Sequence, residues 1–121
     1  MEPVTIDTLE RLGEVVYEME WLGEGAENEP DVERIYRYHG QYYAVLSFQF
    51  EVAGPYPSLQ DVFTDYTLNI VNEMVISLRA PDLSAAELIT MLSYDGIDDE
   101  HNFLLNGDPY TGSSKGFQPA K

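Results

Sequence analysis

Between Glu2 and Glu33 the chain carries eleven acidic residues and a single base, Arg11. An element built from this stretch begins with like charges side by side. It holds only if its other face is apolar and packs against the rest of the molecule. Asp7, Glu10, Glu14 and Glu18 recur three and four residues apart. On a helix that spacing makes neighbours, and a like-charged pair costs a few tenths of a kcal/mol. Leu9, Leu12, Val16 and Met19 follow the same spacing, flanked by Val15 and Leu22. The two stripes together predict a helix from a cap at Thr5 or Asp7 to about Leu22, closed by Gly23. Glu18 and Glu20 lie toward its C-terminus, where the dipole disfavours anions. The expected helix therefore depends on packing, and nothing in the local sequence neutralises its acidic stripe.

The acidic run continues through a polar connector, GEGAENEPD, which holds Glu24, Glu27, Glu29 and Asp31. With two glycines and a proline it reads as a loop. Val32 to His39 then reads as a strand, with Val32, Arg34, Tyr36 and Tyr38 on one face and Ile35 on the other. Tyr42 to Val52 is a second, central strand: Tyr42, Ala44, Leu46, Phe48 and Phe50 alternate with Tyr43, Val45, Ser47 and Gln49. Two prolines in AGPYPS break it. Leu59 to Asp65 suits a short helical turn or a loop. From Tyr66 to Arg79 helical and strand periods compete, and the β-branched and aromatic content favours strand, with a turn near Asn72-Glu73. Ser84-Ala-Ala-Glu87 is a capping box that opens a short helix bearing Leu88, Ile89 and Leu92. Asn102 to Leu105 suits a last strand, ahead of the turn Asn106-Gly107. Residues from about 110 to 121 are small and polar and read as a mobile tail.

These elements predict a single α+β domain over residues 1–121. Its expected core is an antiparallel sheet of three to five strands, with the N-terminal helix and a second, shorter helix packed on it. A chain of 121 residues is long enough for a real core. Nine Tyr, five Phe and one Trp supply bulky packing, which argues against the disorder that high charge favours. The net charge of −16 repels nucleic acid and anionic membrane and attracts basic proteins and cations. Without cysteine there is no disulfide or thiolate chemistry. The acidic start and the lack of a long apolar run predict a cytoplasmic protein.

Motifs of catalysis are missing from the sequence: no Gly-rich phosphate loop, no G-x-S-x-G, no H-E-x-x-H. No catalytic residue, cofactor or metal site is expected. The group Asp95, Asp98, Asp99, Glu100 and His101 has several oxygen donors but not the register of an EF-hand. It reads first as a solvated loop, then as part of an acidic face. Tyr36, Tyr38, Tyr42 and Tyr43 crowd one hairpin; they cover a sheet or serve an interface, where tyrosine is enriched.

Three functional classes follow. One is a protein-binding inhibitor that imitates nucleic-acid phosphates and occupies the groove of a basic partner: a repressor, a histone-like protein, or a nuclease met by an immunity protein or antitoxin. The expected contact residues are Asp7, Glu10, Glu14, Glu18, Glu24, Glu27, Glu29, Asp31, Asp95, Asp98, Asp99 and Glu100. The second is a domain adapted to high salt, the third a small enzyme or ligand-binding domain with a pocket over its sheet. Salt adaptation spreads acids over every element. Here half of the 22 acids precede Arg34, and residues 34 to 94 hold only six, which favours a dedicated acidic face.

Overall fold

The structure, a computed structural model, describes residues 4–22, 30–46, 51–96 and 100–120. The N-terminal helix is short. α1 spans Ile6–Leu12, capped by Thr5, whose hydroxyl accepts from the Thr8 amide, and it stops at Gly13. The next nine residues, Glu14–Leu22, are strand β1, not helix. Val15, Val16, Tyr17 and Trp21 explain the switch, because β-branched and aromatic side chains suit a pleated, half-buried surface. Leu12, expected in the buried stripe, is 62% exposed.

The remaining strands are β2 (Pro30–Tyr38), β3 (Gln41–Val45), β4 (Val52–Tyr56), β5 (Ile70–Val71), β6 (Val75–Arg79), β7 (Ser93–Tyr94), β8 (His101–Leu105), β9 (Asp108–Ser113) and β10 (Gly116–Pro119). Helices α2 (Leu59–Tyr66) and α3 (Ala85–Met91) complete the described elements. Eight strands form one sheet in the order β10-β9-β8-β6-β1-β2-β3-β4, and β5 pairs with β7 apart from it. This corrects the expected fold class. The sheet is larger than three to five strands, and it is mixed, because β6 and β8 run parallel. A parallel pair needs a crossover, and the chain between them supplies it with α3 and β7.

Other expectations also change. The long strand expected from Tyr42 to Val52 is β3 followed by a return into β4, and residues 47–50, including Phe48 and Phe50, lie outside the described residues. Pro55 stands within β4, which an edge strand tolerates because one side of it needs no ladder donors. The segment expected as a tail forms the β9–β10 hairpin. The region 66–79 divides at Asn72–Met74 into β5 and β6, which pair with different partners.

Each face of the sheet has its own apolar layer. Tyr17, Met19, Ile35, Ala44, Leu46, Leu78, Phe103 and Leu105 pack with Val62 and Phe63 of α2 and Leu88 of α3 to form the main core. On the opposite face α1 seats Leu9 against Tyr36 and Tyr43. The alternation of Tyr36 against Ile35, and of Tyr43 against Tyr42, thus distributes them to two faces as the strand pattern requires.

Candidate functional site

The expected acidic stripe is dispersed and largely paired. Asp7 and Glu10 remain on α1, and Arg11 Nε donates to Asp7 Oδ2 at 3.0 Å. Glu14 and Glu18 fall on β1, where the register shifts between Val15 and Tyr17. That bulge puts them on opposite faces. Glu14 lies across from Arg37 and accepts from its Nη2 at 2.8 Å; Glu18 lies across from Arg34 and accepts from its Nε at 2.8 Å. Arg79 flanks Glu18 from β6. The Arg37 guanidinium holds the Glu14 carboxyl below the usual range, and the Glu18 carboxylate raises Arg34. All four arginines of the chain stand in α1, in the Glu18 row, or beyond it toward the Glu14 end.

The other end of the sheet is acidic. β1 ends where β2 and β6 begin: Trp21 lies opposite Asp31 on one side and Val75 on the other. The Leu22 amide donates to the Met74 carbonyl at 2.8 Å. β8, parallel to β6, starts at the same end, and its His101 ring contacts the Val75 carbonyl. β3 ends and β4 begins there too. The register therefore gathers seven acids, Glu20, Asp31, Glu33, Glu51, Glu73, Asp95 and Glu100, from six places in the chain. Among the described residues the base at this end is Lys115, in the β9–β10 turn at the far edge of the sheet.

Of the expected contact residues, Asp31, Asp95 and Glu100 belong to this end. Glu24, Glu27, Glu29, Asp98 and Asp99 lie outside the described residues. Glu20, Glu51 and Glu73 were not singled out by the sequence, because what unites them is strand order and not spacing.

Two adjoining cavities open at the acidic end and share Asn72 and Asp95. One, of about 450 Å³, is polar and bordered by Glu73, Glu100, His101 and Tyr94. The other, of about 330 Å³, lies over the main-core face between the sheet and the segment that follows α2. Glu33 lines it and is 1% exposed. Trp21 Nε1 donates to Glu33 Oε1 at 3.0 Å. Alternation along β2 carries the signal for Glu33: it shares the buried face of Ile35.

Comparison with known protein families, curated proteins and solved structures finds no match to this chain. Among the described residues no helix is long and apolar enough to cross a membrane.

Proposed function

We propose that this protein binds a basic protein through the acidic end of its sheet and occupies the groove in which that partner holds DNA or RNA. The partner class is a repressor, a histone-like protein or a nuclease. The role is binding and not catalysis, and a chain without cysteine suits the cytoplasm as its setting. One observation carries the reading: acids from six separate segments meet at one end, while every arginine lies elsewhere. Such segregation builds a directional field, which steers a basic surface and speeds encounter at low salt. A stack of phosphates offers the same kind of field to the same groove.

The test is competition on a purified partner captured from the host. Duplex DNA or RNA and this protein should exclude one another. Replacing Glu20, Glu73 and Glu100 together by Lys should weaken binding roughly 100-fold at low salt, as opposed charges become like ones. The circular dichroism spectrum should not change. Asp7→Asn with Glu10→Gln should bind as the parent does. Simultaneous binding of nucleic acid and this protein contradicts the proposal.

A further inference from the structure

The cavity beside Glu33 has a different character from the open acidic surface around it. Its volume, about 330 Å³, falls at the lower end of the range of small-molecule sites. Most of its wall is apolar, including Met19, Leu46, Ile70 and Val75. Set into that wall is a carboxylate that is almost wholly buried. The indole N–H of Trp21 fixes one of its oxygens at 3.0 Å, and a carboxylate accepts several donors at once. Trp21 and Tyr66 also present aromatic surface to the cavity, and Asp95 stands exposed on its border. None of the described residues that line it is basic.

We infer that this cavity binds a small organic cation: an ammonium or guanidinium group carried on an apolar body. Each part of the wall has a matching part of the ligand. The charged head donates to Glu33, in a site where low dielectric strengthens a charge-assisted hydrogen bond. Aromatic faces attract the same charge through their quadrupoles. The apolar body leaves water for the methionine, leucine, isoleucine and valine surface. The acidic end raises the local concentration of cations before any contact forms. An anion meets Glu33 and Asp95 with no compensating base in the described wall. The inference concerns a free small molecule and does not depend on the proposed protein partner.

Trp21 is the chain's single tryptophan, so its fluorescence reports on this site alone. The probes are phenethylammonium, its neutral isostere 2-phenylethanol and the anion 3-phenylpropionate, each titrated into the full chain. Phenethylammonium should change Trp21 emission saturably and bind at least about 10-fold tighter than the alcohol, the size expected for a hydrogen bond to a charged group. Glu33→Gln keeps an oxygen for the indole N–H and removes the charge. It should cost about 10-fold or more in ammonium affinity and leave alcohol binding unchanged. Asp95→Asn, at an exposed position, should weaken the ammonium by about 2-fold to 3-fold and spare the alcohol. Equal affinity for ammonium and alcohol, tighter binding of the anion, or no saturable response to the ammonium overturns the inference. So does a folded Glu33→Gln variant that binds the ammonium as the parent does. If Glu33→Gln fails to fold, the selectivity of the parent among the three probes and the Asp95→Asn result decide.

Discussion

Tyr17 is wholly buried, and its one polar side-chain atom is satisfied there: the hydroxyl donates to the Leu68 carbonyl at 2.6 Å. Its ring meets Phe63 edge to face with centroids 5.1 Å apart. Burial pushes the phenol pKa up from its ordinary value of 10.0. The folded state therefore holds this proton more tightly than the unfolded chain does. The resulting stability is fully present below pH 10 and is lost as pH rises above it. Tyr17→Phe keeps the ring and strands the Leu68 carbonyl, which should cost about 1–3 kcal/mol at neutral pH. Because the variant has no proton to lose at that site, the gap between it and the parent should narrow above pH 10. Urea unfolding at pH 7 and pH 11 checks both statements, and a gap independent of pH contradicts them. Legibility at this scale depends on whether the motif is local. The Ser84–Glu87 capping box stands in the sequence and in the structure: the Ser84 hydroxyl accepts from the Glu87 amide, and Glu87 Oε1 accepts from the Ser84 amide, both at 3.1 Å. Alternation with Ile35 places Glu33 on the buried face of β2, but the cavity it lines is closed by segments distant in the chain, which spacing does not show.

Among the elements, α1 and β1 illustrate how two periodicities mislead together. Acids and apolar residues both repeat at helical spacing through Met19, yet the chain leaves the helix at Gly13. Two facts conceal the strand. The bulge at Val16 interrupts strict alternation, so Val16 and Tyr17 are both buried. The residues that betray it, Val15, Val16, Tyr17 and Trp21, do so through propensity, which is weaker than pattern. The tyrosine-rich hairpin of β2 and β3 was legible from its alternation, and the strand ending at Leu105 from the turn Asn106-Gly107 that follows it. The two helical boundaries make opposite demands on neighbouring leucines. Leu9 is fully buried against Tyr36 and Tyr43, so Leu9→Ala should cost about 2–5 kcal/mol. Leu12 is exposed, and Leu12→Ala should fall within about 0.5 kcal/mol of the parent. A single helix running to Leu22 would bury both. Comparable losses at the two positions, measured by thermal or urea unfolding, would restore that helix and remove β1.

For the molecule as a whole, strand order converts a scattered composition into a polar charge distribution. Local sequence reading finds strands but not their neighbours, so it grouped acids by proximity in the chain. The sheet groups them by end: Glu20 with Glu73, Asp31 and Glu100, across a mixed topology with a parallel crossover. The stripe that dominates the N-terminal sequence is, in the fold, where the arginines have gone. The direct measurement is an amide-resolved NMR titration of the labelled protein with a short oligolysine peptide at low salt. The amides of Glu20 to Leu22, Asp31 to Glu33, Glu73, Asp95 and Glu100 should shift first and saturate together. Those of Asp7 to Arg11 and Glu14 should stay in place, and the response should fade as salt shortens the Debye length to about 8 Å near 0.15 M. Shifts that begin on α1, or that spread evenly over both ends of the sheet, would contradict a dedicated acidic end.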